Sequence, residues 1–268
     1  ILDLKLDTIN KIPLTLDVLI IADPKIEYTE TQLIKINKYI KEGGNLLIAG
    51  EPRKEYILNP LLNKLGVNFT EGTLLQKNEN YDADLIQGKF TPEAKELGFS
   101  FYDDATVTLP NATNLEIKNN QEYTITPLLI GKKELTYNNL QDFDLKTQKI
   151  NFDSIPNSQM DANLAMVLTK DINNKQQKII VLGDADFMSL SELNRNNLKN
   201  VNTSLAIKMF KWFSDNEYPV SVSRPGAIDT KIKITRTEIN WLKAIVFAII
   251  PLCIILFGSV LLIRRRRN

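Results

Sequence analysis

Four carboxylates stand where an open α/β sheet places its ligands. Asp23 closes the run DVLIIAD, Glu51 follows NLLIAG, and Asp184 and Asp186 follow KIIVLG. Each run is short, apolar and rich in branched residues, which reads as a buried parallel strand. In such sheets ligands bind beyond the carboxyl ends of the strands. Carboxylates there could hold Mg²⁺ or Ca²⁺, hard cations that take oxygen ligands and need no histidine. A facing pair, with carboxyls about 5 to 9.5 Å apart across an open cleft, could instead cleave a glycoside. The plainer alternative is structural: Asp23 and Glu51 solvate strand ends, while Asp184 and Asp186 shape a turn or cap the next helix.

Other chemistries are removed by composition. The 268 residues include no histidine, and the sole cysteine, Cys253, lies inside an apolar C-terminal run. Ser–His–Asp, Cys–His and zinc schemes therefore have no parts within this chain. No catalytic residue, metal site or cofactor is assigned. Lys and Arg total 33 against 32 Asp and Glu, a balance without general attraction to nucleic acid. Gly43 and Gly44 follow a helical pattern and precede a strand, the reverse of a phosphate-binding turn, so they read as a helix stop. Phe210, Trp212 and Phe213 read as core of a helix.

The elements that must position the four acids follow from periodicity. Thr29 and Gln32 form a candidate capping box, and Leu33, Ile36, Tyr39 and Ile40 recur at helical spacing. Strand, helix and strand in this order predict a βαβ unit with a parallel sheet. Tyr56 to Leu65 reads as a second helix and Val67 to Phe69 as a third strand. The stretch from about Thr70 to Ser158, with pieces such as Thr106 to Leu109 and Tyr123 to Thr126, reads as a β-rich elaboration with long loops. Leu164 to Leu168 and Lys178 to Leu182 return to the sheet, and Leu198 to Phe213 predicts an amphipathic closing helix. The expected fold class is α/β, with residues 1–218 as the body and 219–240 as a connector carrying a little strand at Lys231 to Thr235.

From Ala244 to Ile263 the chain carries no charge, and about 20 residues at ~1.5 Å rise span about 30 Å of hydrocarbon. Residues 241–263 are read as a transmembrane helix and 264–268 as an arginine tail. Trp241 suits the headgroup region, and Lys243 can snorkel along its own stem. Lys231, Lys233, Arg236 and Lys243 balance Arg264, Arg265, Arg266 and Arg267 by number. The latter are contiguous and have no nearby acid, which favours a cytoplasmic tail and a body outside.

Three stretches carry a family resemblance: DVLIIADP with TETQLIKINKYIKEGGNLLIAGEP, KIIVLGDADF, and the end INWLKAIVFAIIPLCIILFGSVLLIRRRRN. In order and spacing they resemble the GldG-type auxiliary proteins of ABC transporters, associated with bacterial gliding motility and related export machines. The resemblance implies a Rossmann-like or glutamine-amidotransferase-like domain outside the cytoplasmic membrane, in the periplasm. It implies a non-enzymatic subunit whose partners are an ABC permease, an ATPase and an envelope protein or cargo. It also implies one or more membrane helices upstream of Ile1. An amidotransferase would need a nucleophilic cysteine with histidine, so the resemblance is to a fold and not to that activity. The rival expectation is an extracytoplasmic sensor that binds a small molecule or glycan at the strand ends.

Overall fold

The computed structural model describes residues 3–118, 122–141, 150–155, 159–195, 198–219 and 236–267. It divides into two units, Ile1–Val220 and Ser221–Asn268. In order, the first unit contains β1 (Leu19–Ala22), α1 (Glu30–Lys41), β2 (Leu46–Ala49), α2 (Glu55–Leu62), β3 (Val67–Phe69), β4 (Thr73–Gln76), β5 (Leu85–Phe90), α3 (Pro92–Glu96), β6 (Thr106–Pro110), β7 (Leu115–Ile117), β8 (Thr124–Ile130), β9 (Thr136–Asn139), β10 (Asn163–Ile172), β11 (Lys175–Leu182), α4 (Leu190–Leu193) and α5 (Asn202–Phe213).

The first helix begins where the capping box was expected. Thr29 Oγ1 accepts from the Gln32 N–H at 3.3 Å, and the Gln32 side chain accepts from the Thr29 N–H at 3.0 Å. Both bonds satisfy donors that the first helical turn leaves without intrahelical partners. The helix ends at Gly43 and Gly44. Gly43 takes a left-handed φ of 93°, and a side chain at Gly44 would collide with the Tyr39 ring.

Seven strands form one sheet in the order β1-β2-β11-β10-β8-β5-β6. The pairs β1–β2 and β2–β11 are parallel, as the βαβ reading requires. The all-parallel expectation fails beyond β11. β10 and β11 form an antiparallel hairpin, and β8, β5 and β6 continue antiparallel. Asn173 and Asn174, both at positive φ, make the hairpin turn, a conformation Asn tolerates better than most residues. The β-rich middle is therefore no appendage, since β5, β6 and β8 supply one side of the main sheet. Val67–Phe69 forms a strand but pairs with β7 in a separate two-stranded sheet.

Helices cover both faces. One face of the sheet, with Leu46, Ile48, Ile179 and Val181, packs on α1 and α2 through Ile36, Tyr39, Leu58 and Leu62. The other, with Leu47, Ala49, Ile180 and Leu182, packs on α5 through Leu205, Met209 and Phe213. Alternation along β2 and β11 thus buries both faces, which explains why their sequences run apolar without a polar stripe.

Lys178 fastens α5 to β11. Its side chain is 8% exposed, donates to the Trp212 carbonyl at 2.6 Å, and pairs with Asp215. A cation at a helix C-terminus satisfies a carbonyl that the helix cannot. Lys178→Met keeps the stem and removes the charge, and is expected to cost about 2 kcal/mol in denaturant unfolding. An unchanged midpoint would show that solvent takes over at Trp212.

In the second unit, α6 (Arg236–Ala244), a π-helical turn (Ile245–Ile249) and α7 (Ile250–Arg267) follow without a break. The wider turn lies directly before Pro251, which lacks an N–H and crowds the preceding turn. Ser259 donates to the Ile255 carbonyl at 2.8 Å. Residues Ile239–Arg266 form one helix whose most apolar 18-residue stretch has a mean hydropathy of 3.0, long and apolar enough to cross a membrane. The expected strand at Lys231 to Thr235 lies outside the described residues.

Candidate functional site

Parallel register brings the four sequence-selected acids to one edge. Ala22 of β1 lies beside Ala49 of β2, which lies beside Leu182 of β11. Asp23 follows the first directly, and Glu51 and Asp184 each follow one glycine later, so the carboxylates emerge together at the strand ends.

Their surroundings differ. Asp23 adopts a left-handed backbone with φ 41°. Its carboxylate meets the Lys54 ammonium at 2.5 Å and also pairs with Lys25. Partial burial would raise its pKa, but the hydrogen bonds from Lys25 and Lys54 outweigh that and hold it below the usual value. Glu51 is 8% exposed and accepts from the Ala185 N–H at 3.1 Å and from Asn111 Nδ2 at 3.4 Å. Burial pushes its pKa up to about 7, against the Ala185 hydrogen bond and with help from the charges of Asp186 and Asp23.

Asp184 is fully buried. One carboxyl oxygen accepts from the Asp186 N–H at 2.7 Å, closing a turn of the kind Asp side chains favour. The other has no hydrogen-bond partner among the described residues. Burial, and next the neighbouring Glu51, drive its pKa well above the ordinary value. Asp186 is exposed and starts a short 3₁₀ turn through Met188.

Sequence reasoning found the four acids and missed what surrounds them. Lys54 offsets the charge of Asp23, Asn111 reaches Glu51 from the turn after β6, and Thr113 lies against Gly183. Lys54, three residues after Glu51, could have been suspected as a counter-ion. Asn111 and Thr113 carry no such local signal, because they arrive from the far side of the sheet.

Chemically, the four acids split into a buried pair, Glu51 and Asp184, and a more accessible pair, Asp23 and Asp186. Asp184 presents no surface to solvent, and Glu51 almost none. Among the described residues no group of three metal-ligating side chains converges to hold a cation. At the other end of the chain, Trp241 is exposed, Lys243 lies in the last turn of α6, and Arg264, Arg265 and Arg266 are exposed near the end of α7, which Arg267 closes.

The profile of the family described as an ABC-type uncharacterized transport system auxiliary component matches residues 1–204. The chain belongs to that family. The transport-auxiliary match covers every strand of the main sheet and all four acids, so the GldG-type resemblance agrees with it. No protein with a curated description matches this auxiliary protein. Among solved structures, the mmIFT52 N-terminal domain is similar, with TM-score 0.53 and 15% identity over 76% of this chain and 80% of that one. This likeness concerns the fold alone. A ThuA-like protein from Bacteroides uniformis aligns at TM-score 0.40 and 12% identity, over 74% of this chain and 69% of its own.

Proposed function

We propose that this auxiliary protein is a non-enzymatic, membrane-anchored subunit of an ABC transport complex that serves gliding motility or export. The observation that carries the reading is the family match over residues 1–204, joined in one chain to an apolar helix of membrane-spanning length. In this reading the helix 241–263 crosses the cytoplasmic membrane and packs with a permease. The arginines at 264–267 stay in the cytoplasm, and the body, residues 1–218, faces the periplasm beyond a connector at 219–240. There it contacts cargo or an envelope protein, while a separate ATPase subunit hydrolyses ATP. The mixed sheet with helices on both faces supports a Rossmann-like or amidotransferase-like fold, and burial of Glu51 and Asp184 supports a scaffold without catalysis.

Affinity purification of the full chain from mild detergent extracts of its native cells is expected to recover a permease and an ATPase in near-constant ratio. Recovery of neither, under conditions that keep other transporters assembled, would overturn the assignment.

A further inference from the structure

Among the described residues, the parallel side of the main sheet ends in an open edge. β1 is the outermost strand and pairs only with β2. The Leu19 and Asp23 N–H groups donate to Asn45 and Ala49, both at 2.9 Å. Hydrogen-bonding directions alternate along a strand, so the N–H and C=O groups of Ile20 and Ala22 point away from β2. No described residue bonds them. The strand LIIA also carries none of the charges, prolines or bulges that usually blunt an edge.

This edge lines a groove of about 830 Å³. On the α1 side its wall includes Leu4, Leu6 and Tyr28, and on the α5 side Phe210, Phe213 and Tyr218. Asp3 and Asp17 are the acidic groups of the lining, which contains no Lys or Arg.

We propose that the groove binds an extended segment of a partner polypeptide as an added strand beside β1. The segment carries apolar side chains on both faces and a Lys or Arg beside Asp17. Main-chain bonds to Ile20 and Ala22 supply binding that depends little on sequence, and the two apolar walls select alternate side chains. Asp3 and Asp17 select a cationic end by charge complementarity. A second copy of this chain fits poorly, because its own β1 is flanked by Asp17 and Asp23, which would bring like charge to Asp17. The proposal goes beyond the transport assignment and stands or falls independently of it.

The test uses the full chain in lipid nanodiscs and a fluorescein-labelled heptapeptide of alternating valine and isoleucine between terminal lysines. Fluorescence anisotropy is expected to rise saturably with protein. Terminal glutamates in place of the lysines should weaken binding by about fivefold or more. Asp17→Asn should shrink that difference, and Ile20→Lys, at a position 41% exposed, should abolish binding without unfolding the body. Absence of saturable binding, equal affinity for both peptides, or full binding by Ile20→Lys would each overturn the proposal. So would self-association of the chain, seen by light scattering, that Ile20→Lys abolishes, since the occupant would then be a second copy.

Discussion

Gly183→Ala is expected to destabilise the body by about 3 kcal/mol or more, near the upper end for overpacking in a rigid site. Gly183 joins β11 to the acid cluster and is held from both sides. Its N–H donates to the Leu164 carbonyl at 2.9 Å, and its carbonyl accepts from the Thr113 N–H at 2.8 Å. A methyl group added there would overlap the Thr113 carbonyl oxygen, which is backbone and cannot rotate aside. The glycine is required by close approach and not by a left-handed conformation. Either the Thr113 segment or the end of β11 must shift, and both belong to the paired framework. Circular dichroism during denaturant unfolding would measure the loss. A cost below about 1 kcal/mol would mean that the segment around Thr113 yields, contrary to its tight pairing.

The second large effect is on pH. Glu51 and Asp184 titrate higher in the folded chain than the ordinary carboxylate range of the unfolded one. As pH rises above 4.5, the unfolded value for Glu51, the unfolded chain releases protons that the folded chain retains. Stability is therefore fullest below that value, falls as pH rises, and for Glu51 stops falling above about 7. A shift of this size corresponds to roughly 3 kcal/mol from Glu51 alone. Asp184 extends the decline in the same direction. Asp23 opposes it weakly, because its lowered pKa adds stability that disappears as pH falls. Unfolding free energies from pH 4.5 to 8 should fall in the parent chain and much less in Glu51→Gln or Asp184→Asn. At pH 8 both variants should equal or exceed the parent. Parallel pH profiles for parent and variants would show that other groups carry the dependence.

The acid cluster was legible because its cause is local in each segment. A branched apolar run ending in a carboxylate marks a strand end wherever it occurs, and parallel pairing then gathers the ends without further information. The helix after β1 was legible for the same reason, through Thr29, Gln32 and its apolar spacing. The antiparallel side was not. β5 contains Gly88 and β8 contains Pro127, and periodicity says nothing about which strand will receive either. Gly88 lies close to Leu164, Leu109 and Leu129, so its lack of a side chain is explained only by tertiary neighbours. Val67–Phe69 is extended, as its pattern predicts, yet its partner β7 lies too far along the chain for pattern alone to supply. The same limit hid Asn111 and Thr113, whose roles depend on which loops meet across the sheet.

The position of β11 sets a clock on synthesis. β2 needs β11 on its inner side, and the Asn45 side chain accepts from the Lys178 N–H across a sequence separation of 133 residues. At translation rates of about 5 to 20 residues per second, β1, α1 and β2 leave the ribosome on the order of 10 s before that neighbour exists. Throughout this interval the inner edge of β2 is as open as the outer edge of β1. The newly made β1–α1–β2 unit thus holds two of the seven main-sheet strands with both edges unpaired until the hairpin arrives to close it.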